Sequence, residues 1–91
     1  MSFGAEDLEE IVHVDHYGNA CTGIRARNAP ADGVILANGR RIAGARVFGE
    51  LPPGSPFWYA NSHGLVEIAV NRGSAAQALG LRVGDRAGWA E

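Results

Sequence analysis

Glycine and proline interrupt the apolar segments of this chain so often that there is little room for long helices. Thirteen glycines and four prolines are spread over 91 residues. The runs between them are short and rich in β-branched and aromatic residues, which favour strands. We therefore predict an all-β domain, barrel-like or a sandwich, with about seven short strands and one short helix.

The strongest local signal for strand pairing is a pair of turn-forming residues. Asn38-Gly39 lies between two apolar runs and supplies the positive φ angles of a type I′ hairpin turn. EIVHV and ACTGIRA flank the polar segment DHYGN and predict another hairpin, with strands at residues 10–14 and 20–26. Further strands are predicted at residues 57–60, 65–70 and around 86–89.

One segment carries the signals of a helix. Ser74 is suited to cap a first turn, and Gln77 follows three residues later as in a capping box. AAQAL favours helix, and Gly80 suits the left-handed position that ends one. We predict a short helix at residues 74–79.

Composition favours a single soluble domain. Hydrophobic residues make up 46% of the chain and charged residues 20%, and the net charge is −2, which argues against a nucleic-acid partner. A lone cysteine implies no disulfide, and no apolar run reaches the roughly 18 residues of a membrane span. We expect a cytoplasmic protein without membrane contact, with residues 1–9 as a linker or disordered arm and residues 10–91 as one β domain.

The segment HVDHYGNACTGI contains two candidate reactive sites. His13, Asp15, His16, Cys21 and the distant His63 are potential metal ligands, but zinc-type spacing is absent. A Cys21–His16 nucleophilic pair needs a thiolate, whereas a cysteine in an apolar strand behaves as a small inert hydrophobe. We predict neither a metal nor a catalytic residue here.

An aromatic side chain beside an amide in the same segment indicates a different kind of site. Asp15 and Gly18 are explained by a turn alone, because aspartate bonds its own backbone and glycine permits the bend. A turn does not require Tyr17 and Asn19, although a polar turn remains the commoner explanation of such a segment. An aromatic face and a carboxamide together suit the stacking and hydrogen bonding of a base such as adenine.

The order of motifs closely resembles a known family. The segments VDHYGNACTGI, VFGELPPG and FWYANSHGLVEIAVNRGSAAQALGLRVGD are similar to the C-terminal domain of the S-adenosylmethionine (SAM) hydrolases, or hydroxide adenosyltransferases, which are relatives of the fluorinase and chlorinase. The resemblance spans residues 10–86. It implies attack of water on the 5′ carbon of SAM to give adenosine and methionine, without a cofactor. It also implies a homotrimer, with active sites between the N-terminal domain of one subunit and the β domain of its neighbour.

The resemblance assigns roles to residues at the adenine end of the ligand. Tyr17 matches an aromatic near the adenine, and Asn19 matches an adenine-contacting asparagine. Phe48 aligns with a further aromatic wall. Val70 and Arg72 match positions whose backbone groups bond the adenine edge.

The resemblance also assigns the methionine end. Ser62 and the backbone at His63 match the turn that holds it, and Asn71 lies between the two adenine-contacting backbone positions. Halogenating relatives tend to carry a tryptophan near Cys21 and an arginine near His63, so hydrolysis is expected here. No part of the chain corresponds to the family's N-terminal domain, and we expect an adenosine-binding half that is inactive alone.

Two alternatives of other classes remain at the level of sequence. GSAAQALGLRVGDRA is similar to the helix and turn of a PDZ domain, which would bind peptide C-termini. The aromatic residues Phe57, Trp58 and Trp89 would also suit an oligomerisation surface, although core packing is expected for Phe57.

Overall fold

The part of the chain that the structure describes folds into two antiparallel sheets, one short α-helix and a 3₁₀ helix at Ala26–Asn28. The structure, a computed structural model, describes residues 7–30, 32–44 and 52–90. Within these residues one sheet has four strands in the order β1-β2-β6-β5, and the other has three in the order β4-β3-β7. The strands are β1 (Leu8–Val14), β2 (Ala20–Arg25), β3 (Val34–Ala37), β4 (Arg40–Ala43), β5 (Pro56–Ala60), β6 (Leu65–Val70) and β7 (Ala87–Trp89), and the helix is α1 (Ala75–Leu79). The all-β prediction is confirmed.

Among the described residues, two isolated bridges link the two sheets, which do not form a closed barrel. One antiparallel bridge joins Glu10 to Arg86, and one parallel bridge joins Gly44 to Trp58. The apolar core lies between the sheets, and its members are Ile11, Ala20, Ile24, Ile35, Ala37, Ile42, Val66, Ile68, Val70, Ala75, Leu79, Leu81 and Ala87. Because successive side chains of a strand point to opposite faces, the residues between these core positions lie on the outer face of the four-stranded sheet.

Both local turn predictions are confirmed. Asn38 and Gly39 have φ angles of 51° and 78°, and they join β3 to β4 with Ala37 opposite Arg40. Ser74 Oγ accepts a hydrogen bond from the amide of Gln77 at 3.1 Å. Gly80 ends the helix in the left-handed conformation, with φ 67° and ψ 32°.

The N-terminal boundary of the fold lies earlier than the sequence predicted. Leu8 and Glu9 belong to β1, although the prediction placed them in a linker. Asp7 Oδ1 accepts hydrogen bonds from the Arg25 amide and the Asn28 carboxamide, both at 3.2 Å. Residues 1–6 of the predicted arm lie outside the described residues.

Two of the three aromatic residues considered for an oligomer contact, Trp58 and Trp89, pack within the fold. The rings of Trp58 and Trp89 meet edge to face with centroids 5.2 Å apart. Trp58 Nε1 also donates to the Gly33 carbonyl at 2.9 Å, and both tryptophans pack against the core. Among the described residues, no helix is both long and apolar enough to cross a membrane.

Candidate functional site

A cleft opens where β6 ends beside β5 and the start of β2. Its volume is about 550 Å³, within the range of small-molecule sites. Its lining combines aromatic and small apolar side chains with amides and one cation. These residues are Asn19, Phe57, Tyr59, Ala69, Val70, Asn71 and Arg72.

The turn between β1 and β2 places Asn19 at this cleft. Asp15 Oδ1 accepts hydrogen bonds from the amides of Tyr17 and Asn19, each at 2.9 Å. The Asp15 amide in turn donates to the Asn19 carbonyl at 3.0 Å. The turn is thus held by the Asp15 carboxylate and by backbone groups. Asn19, at the end of this turn, lines the cleft.

Gly18 ties the same turn to the start of α1. Its φ is 87°, and an added Cβ would overlap Ser74 Oγ. The Ala76 amide donates to the Gly18 carbonyl at 2.8 Å. Asp15 and Gly18 therefore have the structural roles that their residue types predicted.

Tyr17 is not among the residues that line the cleft. Its side chain is 76% exposed. Its ring meets the His16 ring edge to face, with centroids 5.3 Å apart and an interplanar angle of 78°. Any contact between Tyr17 and a ligand in the cleft would therefore use a ring that stands largely in solvent.

The turn after β6 forms the opposite wall. Arg72 has a φ of 60°, a left-handed conformation that is uncommon outside glycine and concentrates at functional sites. The Asn71 amide donates to the Ser55 carbonyl at 2.9 Å, and the Gly54 amide donates to the Asn71 carbonyl at 2.8 Å. The backbone of this wall is thereby fixed against the loop before β5.

Ser62 and His63 lie at the other end of β6. They are exposed in the turn between β5 and β6, at the end of β6 opposite to the turn at residues 70–72. His63 lines a separate depression of about 410 Å³ with Arg25 and Arg27.

The structure thus gathers only part of the predicted site in one cleft. Four predicted residues line it, namely Asn19, Val70, Asn71 and Arg72. Phe48 lies outside the described residues.

Three cleft residues were not among the predicted site residues, namely Phe57, Tyr59 and Ala69. Phe57 and Tyr59 lie two positions apart in β5 and share its outer face, opposite Ala69 and Glu67 of β6. Phe57 is buried, as expected, but it lines the cleft wall and does not belong to the core cluster. The period of two in the predicted strand FWYA was the signal that could have paired them.

A polar network continues from the cleft along the outer face of the sheet. Tyr59 donates its hydroxyl to Glu67 Oε2 at 2.8 Å, and Asn61 Nδ2 donates to Glu67 Oε1 at 2.9 Å. Asn61 Nδ2 also lies 3.4 Å from Cys21 Sγ. Glu67 is only 8% exposed.

Two groups of this network, the Tyr59 hydroxyl and the Cys21 thiol, have raised pKa values. Burial, followed by the hydrogen bond to Glu67 and the nearby negative charges, raises the pKa of Tyr59 to about 12. Burial and the Glu67 carboxylate raise the pKa of Cys21 above its ordinary value, while the Asn61 hydrogen bond acts in the opposite direction. A raised thiol pKa disfavours the thiolate that a nucleophilic cysteine requires.

The candidate metal ligands do not converge. His13 lies opposite Cys21 in the β1–β2 pair, whereas His63 occupies the turn between β5 and β6. Within residues 7–30, 32–44 and 52–90, no three histidine, cysteine or acidic side chains are grouped to hold a metal ion.

Comparison with known proteins gives a family match over most of the chain. Residues 9–87 match the SAM hydroxide adenosyltransferase C-terminal domain. This match includes the segment that suggested a PDZ domain. A curated relative, the (R)-S-adenosyl-L-methionine hydrolase of Thermus thermophilus, is 48% identical over 75 residues. The corresponding hydrolase of Salinispora arenicola is 38% identical over 80 residues.

The match covers most of this chain and a minor part of each relative. It covers 82% of the chain and 29% of the Thermus hydrolase, and 85% and 30% for the Salinispora hydrolase. The crystal structure of a conserved hypothetical protein from Thermus thermophilus superposes with a TM-score of 0.77 at 42% identity, covering 89% of this chain and 32% of that one. An uncharacterized conserved protein from Thermotoga maritima gives a TM-score of 0.75 at 25% identity, with 93% and 38% covered.

Proposed function

The chain belongs to the SAM hydroxide adenosyltransferase C-terminal domain family, and on this basis we propose that it forms the adenosine-binding part of a SAM hydrolase. The reaction is the attack of water on SAM to give adenosine and methionine. The observation that carries the proposal is the cleft in which Asn19 faces the turn at residues 70–72. Two segments far apart in sequence, both implicated by the family resemblance, thus share one concave surface.

The cleft has the chemistry that an adenine requires. The carboxamide of Asn19 offers two donors and one acceptor for the polar edge of the base. Phe57 and Tyr59 supply aromatic surface for its apolar faces. The family resemblance implies further hydrogen bonds to the base from the backbone at Val70 and Arg72. Tyr59 stays protonated at neutral pH, since its pKa is about 12, and its ring adds no negative charge beside the ligand.

The chemical step needs alignment more than acid–base chemistry. The sulfonium of SAM makes methionine a good leaving group, so the protein must mainly exclude bulk solvent and direct one water molecule at the 5′ carbon. We propose that an N-terminal domain, in a homotrimer, covers the cleft and supplies the groups that hold this water. The chain covers only 29% and 30% of the two hydrolases it matches. A cytoplasmic location stays a prediction.

Ligand binding by the 91-residue chain tests the proposal directly. We would titrate it with adenosine, with SAM and with a hydrophobic C-terminal peptide, and follow backbone amide shifts by NMR. Adenosine and SAM should shift the amides of Asn19, Asn71 and Arg72. Shifts along β6 with the peptide alone would favour a peptide-binding module, and no shifts with either nucleoside would contradict adenosine binding.

Removal of one carboxamide gives the sharpest variant. Asn19→Ala should weaken adenosine binding by about 1–3 kcal/mol, because the polar edge of the base then loses its partner. Asn28→Ala is the matched control, since Asn28 is an exposed amide that bonds Asp7. Isothermal titration of both variants measures the difference, and equal affinities would remove Asn19 from the site.

The requirement for an N-terminal domain can be tested with a chimera. The N-terminal part of the Thermus thermophilus hydrolase would be fused to this chain, which is 48% identical to the corresponding segment. We expect the chimera to release adenosine and methionine from SAM and the chain alone to release neither. Hydrolysis by the chain alone, measured by chromatography of the products, would contradict the proposed division of the site.

A further inference from the structure

Glu67 is a buried carboxylate at the centre of the outer sheet face. It lies on β6 with Cys21 opposite on β2 and Tyr59 opposite on β5. Both of its oxygens accept hydrogen bonds from neutral donors, Tyr59 and Asn61. Within the described ranges, no arginine or histidine forms an ion pair with it.

One of these donors belongs to the cleft. Tyr59 lines the cleft, and its hydroxyl is fixed 2.8 Å from Glu67 Oε2. The Glu67 carboxylate therefore fixes the orientation of the Tyr59 ring in the aromatic wall of the cleft.

The other donor, Asn61, holds the turn between β5 and β6. Asn61 Oδ1 accepts hydrogen bonds from the amides of His63 at 2.9 Å and Leu65 at 3.0 Å. The Asn61 backbone amide also donates to the Leu65 carbonyl at 2.8 Å. The turn that carries Ser62 and His63 is thus organised around the Asn61 side chain, and Glu67 holds the amide nitrogen of that side chain.

We propose that Glu67 is a positioning residue that fixes the aromatic wall of the cleft and the turn at Ser62 and His63 relative to each other. The inference rests on the proposed function, in which the cleft takes the adenosine and the turn faces the methionine end. A rigid link between the two matches a ligand whose two ends must be held at a set separation for attack at the carbon between them.

Stability alone is a poor reason for this arrangement. Withdrawing a carboxylate from water is costly, and apolar residues of similar size often replace buried charged groups without loss of stability. The carboxylate has a distinguishing property, which is that it accepts from two donors at once on two oxygens. A glutamine at this position keeps the size and loses one acceptor.

The test compares Glu67→Gln with Glu9→Gln in the 91-residue chain. Glu9 is the matched control, because it pairs with the exposed Arg86 at 3.2 Å. Hydrogen exchange at the His63 and Leu65 amides should become about tenfold faster in Glu67→Gln, since the Asn61 side chain loses its anchor. Exchange at core strand amides and the melting temperature should match those of the control, which separates positioning from a general loss of stability.

Ligand affinity completes the test. Glu67→Gln should weaken adenosine and SAM binding by roughly tenfold, and Glu9→Gln should leave both unchanged. Tyr59→Phe keeps the ring and removes one arm of the link, so it should weaken adenosine binding while the His63 and Leu65 amides keep their protection. This second variant keeps the test decisive if Glu67→Gln folds poorly.

The outcomes separate this inference from the proposed function. If the parent chain binds adenosine and Glu67→Gln binds it equally well, the positioning role is overturned and the proposed function stands. Unchanged exchange at His63 and Leu65 in Glu67→Gln also overturns it. Failure of the parent chain to bind either ligand overturns the proposed function and this role with it, whatever the exchange rates show.

Discussion

Single residues decide how closely the β1–β2 turn approaches the helix. Gly18 combines a φ of 87° with contact against the side chain of Ser74, so two independent constraints favour glycine there. Gly39 has a similar φ of 78°, but an added Cβ would meet nothing within 4 Å. The two glycines thus separate the effect of backbone conformation from that of close packing.

We expect Gly18→Ala to destabilise the chain by about 2–4 kcal/mol, because it adds an overlap with Ser74 to the strain of a positive φ. Gly39→Ala is the matched control and should cost about 1 kcal/mol from the backbone term alone. Urea unfolding of both variants measures these differences. Equal losses would show that the turn can move away from the helix.

Residues of the cleft could be predicted only where a local pattern or the family resemblance pointed to them. Asn19 followed from an amide close to an aromatic residue, whereas the turn at residues 70–72 was assigned by the resemblance alone, and both line the cleft. Tyr59 and Glu67 were not, because their roles come from contacts between neighbouring strands, and pairing of strands depends on register that the sequence does not state. Ser62 and His63 belong to the same sequence motif as the turn at residues 70–72, but they lie at the opposite end of β6 from that turn.

At the scale of elements, the β3–β4 hairpin and α1 support each other. Asn38, the first residue of the hairpin turn, donates its side-chain amide to the Leu79 carbonyl at 2.6 Å. Leu79 is the last residue of α1, where carbonyl groups lack partners within the helix. The turn residue that sets the hairpin therefore also caps the helix.

Asn38→Gly isolates this contact, since glycine adopts a positive φ freely and removes only the donor. We expect a loss of about 1 kcal/mol in the free energy of unfolding. Asn38→Asp should be more harmful, because it places a negative charge and no donor against the carbonyl end of the helix. A urea series on the three proteins tests the order, and an aspartate variant as stable as the parent would contradict the capping role.

The elements themselves were predictable, and their arrangement was not. Both hairpins and the capped helix follow from turn and cap chemistry within a few residues, and all are present. The order β1-β2-β6-β5 places β2 beside β6, which is separated from it by 39 residues of chain between Arg25 and Leu65. Such pairing is set by how the apolar faces pack, and no local signal records it.

At the scale of the whole molecule, the two faces of the four-stranded sheet have different tasks. One face supplies the apolar core, and the other carries the buried carboxylate of Glu67, the buried thiol of Cys21 and the half-buried phenol of Tyr59. Two of these groups have raised pKa values, so the folded state holds protons that the unfolded chain releases. Global stability should therefore depend on pH in the alkaline range.

The direction of this pH dependence follows from the number of protons bound by the folded and the unfolded chain. An unfolded tyrosine ionises near its ordinary pKa of 10.0, whereas Tyr59 in the folded chain has a pKa of about 12. Between these values the unfolded state binds fewer protons, so the free energy of unfolding falls as pH rises through this window and is fully retained below it. Cys21 contributes in the same direction above its ordinary pKa of 9.0.

Urea unfolding between pH 9 and pH 12 should therefore show a steep loss of stability in the parent chain. Tyr59→Phe should flatten the slope, because the titrating proton is gone, while Cys21 contributes equally in both proteins. Tyr17→Phe is the matched control, since it also removes one phenol, from a residue that is 76% exposed and makes no hydrogen bond to Glu67. Parallel slopes for the parent and Tyr59→Phe would mean that the phenol ionises as readily in the folded chain as in the unfolded one, and that the Glu67 hydrogen bond does not hold its proton.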